Sequence, residues 1–417
     1  MSIFSDKLKE YMEQKNEKVY GLSQMCDISR ANMYKIVQGT RHPANVEMVY
    51  RIADALGLSP YEKRGLVEAY QITMIGKDIY EERSYIVHLI SRLKKHKNLP
   101  VEWSRTEEDP EAREKKKFLY GKNSINGRIC SVIKREAQKD GGKICVIGQP
   151  DHEFIRQMLI AYCENKDVEI HHIICMESRE NGEGNTYNLS NFTHISPFLV
   201  SECNYMAYYY YDDVQSHFYN LNLLPCVIVT GDEVIQCASD YEYAIYDCGS
   251  ERVKVFRKMF REFLKRTREI FKISRSLEDA GRWIRMHKIE AVLSHDYAGY
   301  LFVKKWEGKT AKNFKMLISE AGMSNKGLCK WGIEEKEMDS LKTLPVKENG
   351  KTFLIHSELF PIPNDFLMLT ETHGNILLIF EKGSRYWGIL EIYETSIKKS
   401  MYQFLENLDK SLLTESV

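Results

Sequence analysis

The chain has 417 residues, of which 43% are hydrophobic, as is usual for globular proteins. Lys and Arg together number 59, as do Asp and Glu, which excludes a chain-wide basic field for nucleic acid or acidic lipid. The length exceeds that of one ordinary core and predicts two or three domains.

Neither targeting nor disulfide chemistry is indicated. The start is charged throughout, and no segment approaches the roughly 20 apolar residues of a membrane span. The ten cysteines contain no Cys-x-x-Cys pair, and most lie in apolar runs. This pattern favours buried free thiols over disulfides or a zinc site. We therefore expect a cytoplasmic protein with no membrane partner, no metal and no cofactor.

Residues 1–76 predict an all-α domain of five short helices. The first helix carries Ile3, Phe4, Leu8, Tyr11 and Met12 at spacings of three and four residues. Asparagine and Ser-Pro signals at residues 45 and 59–60 are typical of the starts of the fourth and fifth helices.

The second and third helices are predicted from YGLSQMCDISRANMYKIVQG, residues 20–39. Leu22 and Cys26 lie four apart, and Met33 and Ile36 resume the helical spacing after a break around residues 27–29. Ser29 can cap the second of these helices. The pattern predicts two short helices that join at a tight turn and share an apolar core.

Burial of that core directs a polar set outward, and these side chains are the candidate DNA-binding residues. Arg30 and Asn32 have the donor and acceptor geometry for reading bases. Lys35, Thr40 and Arg41 suit phosphates. The alternative is a helical bundle whose exposed helix merely carries charges. The full candidate set is Ser29, Arg30, Ala31, Asn32, Tyr34, Lys35, Gln38, Thr40 and Arg41.

The segment SRANMYKIVQGTRHP followed by VYRIADALGLSP resembles the Cro and lambda-repressor helix-turn-helix family, also called the xenobiotic-response-element family, over roughly residues 4–70. The resemblance implies major-groove docking by residues 29–38, usually as a homodimer on a two-fold site in double-stranded DNA. Asp27 replaces the usual turn Gly, Ser23 replaces Ala, and Lys18-Val19 replaces a Thr-Gln pair, which removes an expected phosphate contact.

Residues 77–140 are predicted to be a helical linker. Tyr85, Leu89 and Leu93 mark one side of an amphipathic helix, and a charge-rich segment follows. Its run Lys115-Lys116-Lys117 could contact DNA or form a solvated face. A second helix then ends at Asp140-Gly141-Gly142.

From residue 141 the periodicity predicts an α/β region with a mixed sheet, divided into a first half (141–275) and a second half (276–417). Residues 143–176 read strand–helix–strand, and residues 177–191 read as a polar loop. Four more strands precede a long helix with Val255, Met259, Phe263 and Thr267 on one side. Residues 225–264 and 366–408 share the order strand, strand, strand, helix, which suggests two similar halves. Residues 274–293 and 310–322 are predicted to be helices between the copies.

The first copy resembles sensory domains of prokaryotic regulators whose fold is related to phospholipase D. That family's catalytic His-x-Lys signature is absent, because none of the twelve His is followed by Lys two residues later. His171 and His172 fall on opposite faces of a strand and make a poor metal chelate. The tyrosine run 208–211 could be half-buried packing or could line a pocket. The resemblance implies ligand sensing without hydrolysis.

The sequence thus predicts a sequence-specific DNA-binding transcription regulator that is not an enzyme. Its C-terminal region is expected to sense an unidentified small-molecule or peptide effector and to form the dimer. The alternative is a phosphodiesterase or nucleotide-processing enzyme with a DNA-binding head. A peptide sensor built of helical repeats would lack the dense Val, Ile and Tyr strands.

Overall fold

The chain begins with a run of helices and continues as alternating strands and helices. The computed structural model describes residues 2–94, 118–178, 186–215, 222–324, 331, 350–382, 386–406, 408 and 413–416. Its helices are α1 (Ile3–Gln14), α2 (Val19–Met25), α3 (Arg30–Gln38), α4 (Val46–Ala55), α5 (Pro60–Ile75), α6 (Lys77–Arg92), α7 (Lys122–Glu136), α8 (Glu153–Cys163), α9 (Thr186–Val200), α10 (Ser250–Leu264), α11 (Leu277–Met286), α12 (Ala298–Lys305) and α13 (Thr395–Glu406).

The strands fall into two groups of eight, which form the first and second sheets. The first sheet contains β1 (Phe118–Tyr120), β2 (Gly142–Ile147), β3 (Val168–Met176), β4 (Asn204–Tyr211), β5 (Cys226–Val229), β6 (Val234–Cys237), β7 (Tyr243–Asp247) and β8 (Arg268–Glu269). The second contains β9 (Phe271–Ser274), β10 (Lys288–Ser294), β11 (Lys309–Ser319), β12 (Gly350–Ile355), β13 (Leu367–Glu371), β14 (Ile376–Lys382), β15 (Tyr386–Ile392) and β16 (Leu413–Ser416).

The five predicted N-terminal helices are confirmed, and side-chain caps define several of their starts. The Asn45 side chain accepts from the Met48 amide at 3.0 Å, and Ser59 forms a capping box with Glu62. Helices α1 to α5 enclose one N-terminal core, in which Phe4, Leu8, Leu22, Met33, Val49, Ile52 and Leu66 are fully buried.

The two sheets have the same strand order. The first runs β1-β7-β6-β5-β2-β3-β4-β8, and the second runs β9-β15-β14-β13-β10-β11-β12-β16. In both, three parallel strands (β2–β3–β4 and β10–β11–β12) adjoin an antiparallel meander. Position for position, α10 corresponds to α13. The region therefore consists of two halves of one topology, as the repeat suggested.

The halves meet at Ile270, which is fully buried. Its amide donates to the Ala207 carbonyl of β4 at 3.0 Å, and its own carbonyl accepts from the amides of Tyr393 and Glu394. A large core joins α6, α9 and α13 to one face of each sheet. The other face of the first sheet is covered by α10, and the other face of the second sheet is covered by α11 and α12.

Three predictions about the α/β region are wrong. Helix α9 begins at Thr186, inside the predicted polar loop. Residues 288–294 and 309–319 form β10 and β11 instead of helices. Both are central strands whose C-terminal halves are buried on two faces, so these halves lack the period-two alternation that identifies a half-exposed strand. Ala, Lys, Met and Leu also favour helix locally, and strand pairing overrides them.

The predicted long helix is α10, and the side that carries Val255 and Met259 is not its buried side. Val255 and Met259 are 54% and 59% exposed, whereas Val253 and Phe260 are buried against the first sheet. Thr267 lies beyond the helix, which ends at Leu264.

The sheets also depart from the predicted domain boundaries. Strand β1 pairs with β7, so part of the predicted 77–140 linker belongs to the first sheet. Strand β9 belongs to the second sheet, which therefore begins before residue 276. The run at residues 115–117 lies outside the described residues. Within the described ranges, no helix combines the length and apolar composition needed to span a bilayer.

Lys382 ties the two halves together. It is 3% exposed at the end of β14, and its ammonium donates to the carbonyls of Phe198 and Leu199 at 3.3 and 3.0 Å. These are the last carbonyls of α9, which have no partner within the helix. Burial lowers the pKa of Lys382 from 10.5 to about 8.

This lysine should make stability depend on pH. Because its pKa is lower in the folded state, the unfolded state binds more protons between pH 8 and 10.5. The contribution of Lys382 should therefore rise as pH rises through that window. We expect the free energy of unfolding of the wild type, minus that of Lys382→Met, to increase from pH 8 to pH 10 in urea titrations. Lys399→Met, on exposed α13 surface, is the control, and an equal trend there would contradict this expectation.

Candidate nucleic-acid interface

The candidate interface is built by α2, α3 and the turn between them. Leu22 and Met33 are fully buried, Ile36 is 2% exposed and Cys26 3% exposed, so the shared core is as predicted. Asp27 has φ of 51°, in the left-handed region where Asp is better tolerated than most residues. This backbone reverses the chain between the two helices.

Helix α3 has defined ends. The Ser29 side chain caps its start by accepting from the Asn32 amide at 3.4 Å. At the other end Gly39 adopts φ of 75°, and a Cβ there would lie 2.7 Å from the hydroxyl oxygen of Ser5. Gly39 thus closes α3 directly against the start of α1, and this contact positions the recognition helix in its domain.

The structure places the predicted site residues on one continuous surface. Asn32 is half-buried and the other predicted residues are exposed; these are Ser29, Arg30, Ala31, Tyr34, Lys35, Gln38, Thr40 and Arg41. The surface is locally cationic, because residues 18–41 contain Lys18, Arg30, Lys35 and Arg41 but Asp27 as their one carboxylate. It therefore attracts phosphates although the chain as a whole is neutral.

Arg30 is held by an aromatic ring that sequence reasoning did not include in the site. Its guanidinium carbon lies 5.7 Å from the ring centre of Tyr20, in the first turn of α2. Tyr20 is 59% exposed, so the contact restricts the arginine without removing it from solvent. In the sequence, the signal that could have added Tyr20 to the site was an aromatic residue at the start of α2.

Asn32 and Arg41 are joined across the loop. One guanidinium nitrogen of Arg41 donates to the Asn32 side-chain oxygen at 2.9 Å. That oxygen keeps a second lone pair and the amide nitrogen keeps both protons, so paired contacts to adenine remain available. Arg41 therefore orients a candidate base reader while presenting positive charge beside it.

Thr40 is used within the protein. Its hydroxyl donates to the Lys35 carbonyl at 3.2 Å, and the Thr40 amide donates to the same oxygen at 3.0 Å. The hydroxyl proton predicted to bind phosphate is thus engaged in this structure. Thr40 fixes the loop that carries Arg41.

Residues 7–62 match the family model of the Cro/C1-type helix-turn-helix DNA-binding domain. The N-terminal segment is a Cro/C1-type DNA-binding domain. No curated protein matches the chain.

Comparison with solved structures gives weak overlaps. A polyphosphate kinase from Porphyromonas gingivalis shares 9% identity over 69% of this chain and 49% of its own, with a TM-score of 0.24. TrmBL2, an archaeal chromatin protein, shares 10% identity over 58% of this chain and 84% of its own, with a TM-score of 0.26. The chain spans about half the length of the kinase. The resemblance of the C-terminal region to phospholipase D-like domains stays a prediction.

Arg30 and Lys35 should affect DNA binding differently. Arg30→Ala should lower the preference for a specific site by roughly 1–3 kcal/mol, since it removes a base contact. Lys35→Ala should weaken binding to specific and random duplexes about equally, since it removes a phosphate contact. Fluorescence anisotropy with both duplexes measures each affinity. Equal losses on the two duplexes for Arg30→Ala would refute its base-reading role.

Gly39→Ala should destabilise the domain more than Gly57→Ala. Both glycines have positive φ, 75° and 60°, so both changes incur about 1–2 kcal/mol of backbone strain. At Gly39 the added methyl also meets Ser5, whereas nothing lies within 4 Å of one at Gly57. Urea unfolding of the two variants tests this ordering, and similar free energies of unfolding would show that the Gly39–Ser5 contact has no effect.

Proposed function

We propose that the protein is a sequence-specific transcription regulator, active as a homodimer, whose C-terminal region senses an effector. The exposed, cationic face of α3 carries this proposal, because α3 lies within the residues that match the Cro/C1-type DNA-binding domain. An effector that binds two states of the C-terminal region unequally would shift the spacing of two recognition helices.

Contacts between the N-terminal domain and the second sheet support coupling between effector binding and the recognition helix. The ring of Tyr50 on α4 stacks on His356, which follows β12, with ring centres 5.6 Å apart. Leu359, three residues later, packs against both the N-terminal core and the large core. A shift of the segment around residues 356–359 would therefore change the packing of both the N-terminal core and the large core.

Helix α6 provides a second connection. It follows α5 directly at Gly76, and its Ile86, Leu89 and Ile90 belong to the large core, where α6 packs along α9. Movement of α9 relative to the sheets would displace α6 and the domain attached to it.

Buried polar groups without partners between α9 and the segment after β2 support a ligand site there. Burial lowers the pKa of His152 and His194, and the Asp151 carboxylate opposes this in both, so one carboxylate lies near both rings. Each unpartnered polar group costs about 1–3 kcal/mol unless a ligand or water binds it. The unpartnered atoms are Gln149 Oε1, His152 Nδ1 and His194 Nδ1.

The absence of His-x-Lys from the sequence supports sensing without hydrolysis. The two histidines of the 171–172 pair have other partners, because His171 contacts Glu169 and Tyr208 while His172 contacts Tyr205 and the Gly148 carbonyl. Among the described residues no group of three or more His, Cys, Asp or Glu could hold a metal ion. Phosphodiester turnover by the purified protein, abolished by changing one histidine, would establish the enzymatic alternative.

The proposed function predicts DNA selection and effector coupling in the full chain. Genomic fragments recovered by the wild type should share a two-fold motif, and Arg30→Ala should not enrich it. The small-molecule fraction of a cell extract should change the DNA affinity of the wild type and raise its melting temperature. Leu359→Ala should keep the thermal shift but lose the change in affinity. No shared motif among the fragments would refute the DNA-reading role, and an extract without effect would refute sensing.

A further inference from the structure

Helix α10 and the residues after it form the most basic segment of the described chain. Residues 250–268 contain eight cationic side chains and two anionic ones, a net charge of 8 − 2 = +6, in a chain whose charges balance at 59 each. Helical spacing places five of the cations along one side of α10 and its C-terminal turn. This basic stripe consists of Lys254, Arg257, Lys258, Arg261 and Lys265.

The stripe is exposed, and much of its charge is not neutralised within the protein. Lys254 pairs with Glu251 at 3.2 Å, and Lys265 pairs with Glu262 at 2.9 Å. Arg257, Lys258 and Arg261 are exposed and make no ion pair with any described residue. The carboxylates that interact with these three cations, Glu262 and Asp232, are already paired with Lys265 and Lys139. Cations therefore remain in excess along the stripe and repel one another, and a polyanion that binds them relieves that repulsion.

The position of α10 leaves this side uncovered. Val253 and Phe260 attach it to the first sheet, on the face opposite the large core. The equivalent helix α13 is packed between the second sheet and helices α6 and α9. In the described residues nothing comparable covers α10, and its Val255 and Met259 remain more than half exposed. Two helices with the same place in the topology thus have different surroundings.

We propose that the basic stripe is a second DNA-binding surface, which holds backbone phosphates without reading sequence. Charge complementarity favours DNA, and the Cro/C1-type domain keeps DNA close to the chain. Lys254 and Lys265 are about 16 Å apart along the helix, enough to reach phosphates on both sides of a groove about 12 Å wide.

This surface would contact a different DNA segment from the one bound by α3. The first sheet lies between α10 and α6, and α6 carries the N-terminal domain. One chain would therefore hold two duplex segments, and the second contact would be independent of effector sensing.

The test separates the stripe from the α3 face. In full-length protein carrying Arg30→Ala and Lys35→Ala, binding to a random duplex should persist at about 50 mM salt. Adding Lys258→Gln and Arg261→Gln should weaken it by roughly tenfold or more. The slope of log affinity against log salt should fall by about 1.8, or 0.9 for each lost phosphate contact.

The matched control adds Lys309→Gln and Lys312→Gln, which remove two exposed cations from β11 in the second sheet. It should leave the affinity and the salt slope unchanged. Equal effects of the two pairs of substitutions, or no residual DNA binding before them, would overturn the proposal. So would a stripe variant that binds DNA normally but loses binding to phosphatidylserine vesicles, because the partner would then be an anionic membrane.

Discussion

The candidate DNA-binding face depends on the burial of a few apolar side chains shared by α2 and α3. With Leu22 and Met33 fully buried, the opposite side of α3 has no orientation other than outward. The positive φ of Asp27 sets the angle between the helices, and Gly39 seats the end of α3 against α1. Burying the core is what directs Arg30 and Asn32, the predicted base readers, away from the domain.

Within that face, side chains are restrained by one another before any DNA is bound. Tyr20 restricts Arg30, Arg41 holds the amide of Asn32, and Thr40 anchors the loop. Restraint of this kind reduces the conformational entropy lost on binding, so more of each contact contributes to affinity. These interactions join residues five to ten positions apart.

The C-terminal region repeats one topology, but its two halves are not in equivalent surroundings. The buried crossing at Ile270 and the contact from Lys382 to the end of α9 fix the second half beside the first. As a result α13 lies inside the molecule and α10 outside it. The same asymmetry brings the segment that follows β12 against the N-terminal domain. There Leu359 contacts both the large core and the N-terminal core.

The sequence by itself determined the N-terminal domain, because helical spacing, caps and turn residues there all act within a few positions of one another. It also indicated the duplicated meander, whose strands alternate or are bounded by turns. Tertiary structure decided that β10 and β11 are strands, since their partners lie elsewhere in the chain and burial of their C-terminal halves on both faces removes the alternation. It likewise decided which side of α10 is buried. That choice depends on the sheet beneath the helix, and apolar residues such as Val255 and Met259 make either side plausible until the packing is known.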